Sequence, residues 1–271
     1  MRKPASALTP AVDPRPSPLP CILVMPAYNE EGCIVPVVSA WRDEFARLFG
    51  DNFRLLVVND GSRDNTGRLL DQLAASEPRL IVVHQKNSGH GGALLRAYSD
   101  AITLSPEFVF HVDSDDQFKP ADFERLWSRR AESPCILGHR SVRHDPLHRL
   151  VITRILRLVL FALYGRYLPD SNIPFRLLRT DFLAQALAII PPGTFAPNIF
   201  LAVLGARIDA DLLHLPVSHE DRKTGTVSIV RWKLIRVCFR CVGELWRFQQ
   251  ILNDHTPRVK ATVHEPSPAR V

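Results

Sequence analysis

The chain has 271 residues, 46% hydrophobic and 23% charged, which excludes disorder as the main state and suits one large α/β domain, with or without an appendage. Its net charge of +6 is uneven: residues 139–182 hold eight Arg and no Lys against three acids, residues 222–271 hold ten basic against three acidic residues, and the remainder is net acidic. Two cationic patches on an acidic-to-neutral body, with no aromatic strand motif or helix-turn-helix signature, argue against a nucleic-acid partner.

The first 20 residues carry six prolines and no apolar core, and read as a disordered lead without a signal peptide. From Cys21 on, apolar runs alternate with helical patterns. Strands are expected at Cys21–Met25, Arg54–Val58, Leu80–Val83, Phe108–Val112 and Cys135–Leu137. Helices are expected over Glu31–Phe49, Asp64–Ala75 with Asp64 as N-cap, Gly91–Leu104, and Pro120–Arg130 with its proline in the first turn. Phe182–Ala206 is uncharged and long enough to span a bilayer, but Pro191-Pro192-Gly193 and Pro197 interrupt it, so it reads as buried core plus a loop. Leu147–Leu168 and Ile229–Leu252 are amphipathic helical patterns studded with Arg, the second also with Trp232, Phe239 and Trp246. Five cysteines in no paired framework suit a reducing compartment; Cys238-x-x-Cys241 reads as buried small residues within a helix.

Continuous apolar strands separated by helices predict an α/β fold with a mostly parallel sheet covered on both faces. Ligands bind such sheets at the carboxyl ends of the strands. Four strands here end in polar residues at that edge: Pro26-Ala-Tyr-Asn-Glu30, Asn59-Asp-Gly-Ser62, Gln85-Lys-Asn-Ser-Gly89 and Asp113-Ser-Asp-Asp-Gln117. Asp113 and Asp115, two apart on an extended segment, point the same way, with Gln117 next in register. Converging oxygens of this kind hold a hard cation such as Mg²⁺ or Mn²⁺ beside nucleotide phosphates. Asp60, ending the second strand, is placed to accept an N–H from a nucleotide base, or simply to form an Asp-Gly turn. Tyr28 and Glu30 are placed for base and ribose, or Glu30 for the charge of a helix start. Asn87–Gly92 resembles a phosphate-cradling glycine loop entering a helix, but is not a Walker loop.

In this order, Pro26–Glu30, Val58–Ser62, Asn87–Ala93 and Asp113–Gln117 resemble the inverting family-2 glycosyltransferases, and within them the dolichol- and polyprenyl-phosphate sugar synthases. The resemblance extends to an Asn-x-Pro-Phe-Arg-Leu-x-Arg segment, Asn172–Arg179, and an Arg-x-x-Gly-x-x-Ser segment, Arg222–Ser228. It covers about residues 20–230. It implies a GT-A, Rossmann-like domain over 21–228; beyond it, the basic, aromatic and amphipathic pattern reads as a membrane-interface helix over 229–253, followed by a flexible tail over 254–271. It also implies that Pro26, Tyr28, Glu30, Asp60 and Asp113 bind the nucleotide, and that Asp113, Asp115 and Gln117 hold the metal and diphosphate. Arg140, Arg149 and Arg222 then occupy acceptor-phosphate positions, with Asp115, Arg140 and Arg222 as the catalytic set. The segment after Gln117, Phe-Lys-Pro-Ala-Asp, departs from the Asp-Pro-Pro-Glu frequent among relatives.

The expected reaction is transfer of one sugar from a nucleotide-sugar donor to a polyprenyl phosphate at a membrane surface. A phosphate monoester is ionised near neutral pH and needs cations to position it, whereas an alcohol acceptor needs a general base. Arginine suits the former by bidentate contacts. Arg149 and Thr153, four apart on one helical face, are further candidates for the acceptor phosphate. The alternative is transfer to a hydroxyl of a glycan or small acceptor, with His139, Asp170 or Asp221 as base. A catalytically silent nucleotide-sugar-binding subunit is a third possibility, disfavoured by the intact Asp113-x-Asp115-x-Gln117. The expected location is cytoplasmic and peripheral, on the cytoplasmic face of a membrane, with or without an anchoring partner protein.

Overall fold

The five apolar runs are strands: β1 (Cys21–Ala27), β2 (Phe53–Asn59), β3 (Leu80–His84), β4 (Phe108–Val112) and β5 (Cys135–Arg140). Two more, β6 (Phe175–Arg179) and β7 (Leu213–Val217), complete a seven-stranded sheet in the order β3-β2-β1-β4-β6-β5-β7. The helices are α1 (Ile34–Phe49), α2 (Thr66–Ser76), α3 (Gly89–Thr103), α4 (Phe123–Ser128), α5 (Leu147–Tyr164), α6 (Thr180–Ile189) and α7 (Pro197–Ile208). Residues 240–253 form an eighth, α8. This computed structural model describes residues 19–140, 147–208, 212–220 and 240–253, with backbone alone for 147–153. Most of the Pro-rich lead, Asp221, Arg222, the first part of the 229–253 segment and the tail from 254 lie outside the described residues.

β1 is an interior strand, and every one of its residues is buried, as a strand covered on both faces requires. It pairs in parallel with β2 on one side and β4 on the other. The chain runs outward through β2 and β3, then returns to place β4 on the opposite side of β1. This is a topological switch point, and it opens a crevice at the carboxyl ends of β1 and β4.

The sheet departs from a parallel array at one strand. β6 runs antiparallel between β4 and β5, pairing Val112 with Phe175 and Leu137 with Arg176. The segment entering β6 therefore lies at the same edge as the carboxyl ends of β4 and β5.

Alternation along β4 divides the core. Phe110 joins Trp41, Phe45, Phe123 and Phe175 in an aromatic cluster beneath α1 and α4, with Phe110 and Phe123 centroids 4.7 Å apart. His111 faces the other way, edge-on to Tyr98 of α3. The uncharged stretch 182–206 folds as buried parts of α6 and α7 joined by a loop, as its prolines require. Asp64 acts one position earlier than an N-cap. Helix α2 starts at Thr66, and Asp64 Oδ1 accepts from Thr66 N at 3.0 Å and from its hydroxyl at 2.6 Å.

Candidate active site

A cleft of about 430 Å³ opens at the switch point. Its walls are the strand-end residues Pro26, Tyr28, Glu30, Asp60, Asp113 and Asp115, joined by Asn87, Gly89 and His90 at the start of α3 and by Phe195. The turns that present these groups use left-handed backbone at Asn29 (φ 56°) and Asp116 (φ 59°), residue types that tolerate it.

The Asp113–Asp115 segment is pinned to β1. Ser114 is buried, and its hydroxyl donates to the carbonyl of Pro26 at 3.0 Å. The carboxylates on either side are thereby turned to the cleft. Asp113 Oδ1 is buried and makes no hydrogen bond among the described residues. His111 Nε2 lies 3.4 Å away and His90 Nε2 3.8 Å away. Burial alone pushes the Asp113 carboxyl up, but His90, His111 and Arg176 outweigh it and hold it below the ordinary carboxylate range. Burial also pushes His111 down to about 4, so this imidazole is neutral at physiological pH. The result is a buried carboxylate oxygen without a donor, which suits a cation.

Among the described residues no cluster of three or more His, Cys, Asp or Glu forms a complete metal cage. Two carboxylates plus substrate oxygens are the donor set that Mg²⁺ takes beside phosphates, so Asp113 and Asp115 fit a divalent ion held jointly with a diphosphate. Gln117 is not brought into the cleft; its amide donates to the carbonyl of Glu220 at 3.2 Å.

Asp60 is buried, and its Oδ1 is held by three donors: Gln85 Nε2 at 2.7 Å, Ser88 N at 2.8 Å and Ser88 Oγ at 3.1 Å. Its Oδ2 accepts none of these bonds, which leaves it for a donor in the cleft. Gly61 turns the chain beyond it at φ 67°, where a Cβ would come within 2.8 Å of Asn87 N. Glu30 lines the cleft and also serves the helix start, its carbonyl accepting from Cys33 N and Ile34 N. The glycine loop enters α3 so that the helix N-terminus, at Gly89 and His90, borders the cleft.

Arg140, at the end of β5, is in the same edge but outside the cleft lining. With β6 between β4 and β5, it stands about two strand spacings, about 10 Å, from Asp113. Its guanidinium holds the buried Asp170 at 2.9 and 3.0 Å. The segment after Asp170 is held by Arg176, which is fully buried and donates to the carbonyls of Ser171, Ile173 and Asn198. Arg149 and Thr153 lie in α5, with only their backbone described. His90 and Phe195 are cleft residues that sequence reasoning missed. His90 had a signal, its place within the glycine cluster; Phe195 arrives from a distant loop with none.

The profile of Glycosyl transferase family 2 matches residues 22–183. A protein of Methanocaldococcus jannaschii is 28% identical over 227 residues, covering 80% of this chain and 95% of its own length. The undecaprenyl-phosphate 4-deoxy-4-formamido-L-arabinose transferase of Pectobacterium carotovorum is 26% identical over 221 residues. That match covers 80% of this chain, which spans 64% of the transferase's length. Among solved structures, the glucosyl-3-phosphoglycerate synthase of Mycobacterium tuberculosis, determined with Mn²⁺, UDP-glucose and phosphoglyceric acid, aligns with a TM-score of 0.60 at 18% identity. The alignment covers 85% of this chain and 79% of that one. The likeness is one of fold, GT-A.

Proposed function

The chain belongs to Glycosyl transferase family 2, and within that family we propose that it moves a single sugar from a nucleotide-sugar donor to a polyprenyl phosphate at a membrane surface, with inversion. It is a glycosyltransferase. The observation that carries the donor half is the buried, donor-free Oδ1 of Asp113 in a cleft that also holds Asp115, Asp60 and the start of α3.

A divalent ion, Mg²⁺ or Mn²⁺, would be held by Asp113 and Asp115 and would neutralise the departing diphosphate. Asp60 Oδ2 accepts from the base, with Tyr28, Glu30 and Pro26 forming the walls around base and ribose. The N-terminus of α3 turns its amides toward phosphate. The acceptor attacks the anomeric carbon from the face opposite the nucleotide. As an ionised phosphate it needs no proton removed, only cations to orient it and to moderate its repulsion from the donor. Arg140 is the described candidate for that task, and Arg149, Thr153 and Arg222 are proposed beside it.

Two features support the lipid acceptor. Curated relatives of 23–26% identity are named undecaprenyl-phosphate transferases. Helix α5 exposes Ile155, Leu158 and Phe161 beside Arg154, an apolar and cationic face suited to an anionic bilayer surface. Among the described residues no helix is long and apolar enough to cross a membrane. The free cysteines Cys21, Cys33, Cys135 and Cys241 are compatible with the cytoplasmic face.

Transfer to a hydroxyl is the second reading and requires a general base. Of its candidates, His139 stands next to Arg140 at the end of β5, Asp170 is engaged by Arg140, and Asp221 lies outside the described residues. The deciding experiment incubates the protein with a panel of nucleotide sugars, Mn²⁺ or Mg²⁺, and a short polyprenyl phosphate in detergent. A lipid-phosphate sugar with release of nucleoside diphosphate is expected. Transfer only to glycan or small-molecule hydroxyls would replace this reading with the second.

A further inference from the structure

Phe195 enters the cleft wall from the loop between α6 and α7, and that loop is held from both sides. On one side it lies against α3. A Cβ added at Gly91 would collide with the carbonyl oxygens of Thr194 and Phe195, so the loop backbone sits directly on the helix start that borders the cleft. On the other side it is held by α8. Glu244 Oε2 accepts from the backbone N–H of Phe195 at 3.1 Å. Glu244 Oε1 accepts from Arg240 Nε at 2.7 Å, and Arg240 Nη2 donates to the carbonyl of Gly193 at 2.9 Å. Gly193 itself turns at φ 74°.

The base of this clamp is rigid. Leu245, Phe248 and Leu252 are buried, Phe248 packs on Phe200 of α7 with centroids 4.6 Å apart, and Tyr164 of α5 donates to the carbonyl of Leu245 at 2.7 Å. Helix α8 is thus fixed to the domain by its apolar stripe. Its Glu244 and Arg240 reach the loop carrying Phe195, and Glu244 is the one that holds Phe195 itself.

We propose that Glu244 is a positioning residue for donor binding: by holding the backbone of Phe195 it fixes the wall of the cleft opposite the nucleotide-binding strand ends. Arg240 aims the Glu244 carboxylate and ties down the loop at Gly193. The inference rests on the reading that this cleft takes the nucleotide sugar. It adds a residue from the C-terminal helix, which lies outside the matched family segment, to the determinants of that site.

The test measures binding of UDP-glucose and GDP-mannose, with Mn²⁺, to the full chain and to Glu244→Ala, Glu244→Gln, Phe195→Ala and the double variant Glu244→Ala/Phe195→Ala. Glu244→Ala is expected to weaken binding of the nucleotide sugar that the wild type takes by about fivefold. Glu244→Gln, which keeps an acceptor oxygen for Phe195 N but loses the ion pair with Arg240, restores most of that loss. A residue serving only to stabilise α8 through its ion pair would give the reverse, equal losses in Ala and Gln. The double variant is expected to lose little more than Phe195→Ala, because the wall that Glu244 holds is already gone. Should Glu244→Ala not fold, Glu244→Asp keeps the charge while withdrawing it from Phe195 N, and is expected to show the same loss. Wild-type affinity in folded Glu244→Ala or Glu244→Asp, or additive losses in the double variant, overturns the proposal. Failure of the wild type to bind either nucleotide sugar overturns the reading of the cleft itself, and the proposal with it.

Discussion

Arg140 and Asp170 are joined by two hydrogen bonds, Nε to Oδ2 at 2.9 Å and Nη2 to Oδ1 at 3.0 Å, with Asp170 only 4% exposed. The pair uses part of the guanidinium's donor set and fixes its plane at the carboxyl edge of the sheet. Breaking it one side at a time has different consequences. Arg140→Ala removes two charge-assisted hydrogen bonds from a buried carboxylate and is expected to cost about 1.5–3 kcal/mol in urea denaturation. Arg140→Ala combined with Asp170→Asn is expected to regain part of that loss, since the buried group is then neutral. Asp170→Asn alone leaves Arg140 present but unaligned. Its expected signature is an acceptor KM raised about tenfold with donor KM unchanged. An unchanged acceptor KM in a folded Asp170→Asn protein removes Arg140 from the acceptor site.

Asp113 and Gln117 offer a sharper contrast than either alone. Asp113 carries a buried oxygen that makes no hydrogen bond among the described residues, while Gln117 spends its amide on the carbonyl of Glu220. Asp113→Asn is expected to lower kcat by about a thousandfold or more, because it removes charge that the metal and departing diphosphate require. Gln117→Ala is expected to lose less than about tenfold, the scale of a neutral hydrogen bond. Chelation with EDTA should abolish wild-type turnover, and Mn²⁺ or Mg²⁺ should restore it. Full turnover in EDTA, measured by release of nucleoside diphosphate, would end the metal assignment.

Leu158 and Phe161 are 68% and 55% exposed on α5, so replacing them should leave folding intact. Leu158→Ser/Phe161→Ser is expected to shift the urea midpoint by no more than the equivalent of about 0.5 kcal/mol per site. If this face meets the bilayer, the same double variant should bind anionic vesicles at least about tenfold more weakly, from lost apolar burial. Wild-type binding should weaken with salt, since Arg154 and its neighbours contribute by charge. Sedimentation with vesicles of mixed neutral and anionic lipid reads both effects. Equal binding by variant and wild type would leave α5 without a membrane role.

The cleft at the strand ends is legible in the sequence because its signals are local. Buried runs such as Cys21–Ala27 identify strands, the period of two aligns Asp113 with Asp115, and polar strand ends in a parallel array converge by topology. The surroundings of Arg140 are less so, because its partners are distant in sequence. Arg176 counts as one more cation in a basic patch, yet it is wholly buried among carbonyl oxygens of Ser171, Ile173 and Asn198. β6 was not read as a strand because it is five residues long with arginine at two of them. Its antiparallel course, which brings Asp170 beside Arg140, has no signature in hydropathy. Gln117 was in register with the two aspartates by spacing, but the left-handed turn at Asp116 breaks that register and sends the amide elsewhere.

Gly91 links the two halves of the donor wall and carries a prediction that does not depend on side-chain chemistry. Its Cα lies so close to the loop that an added methyl would meet the carbonyl oxygens of Thr194 and Phe195, and backbone atoms cannot swing aside as a side-chain tip does. Gly91→Ala therefore forces the start of α3 away from the 194–195 loop. Helix propensity favours alanine over glycine by about 1 kcal/mol, so an unstrained substitution would stabilise α3. Overpacking is expected to win, since inserted groups in close-packed surroundings cost about 1–3 kcal/mol. Gly243, in α8, is the control: a methyl added there meets no atom within 4 Å. The expected result is a lower urea midpoint and weaker nucleotide-sugar binding for Gly91→Ala, and neither loss for Gly243→Ala. Equal behaviour of the two variants would mean that the loop yields to α3 at no cost and does not hold the wall of the cleft.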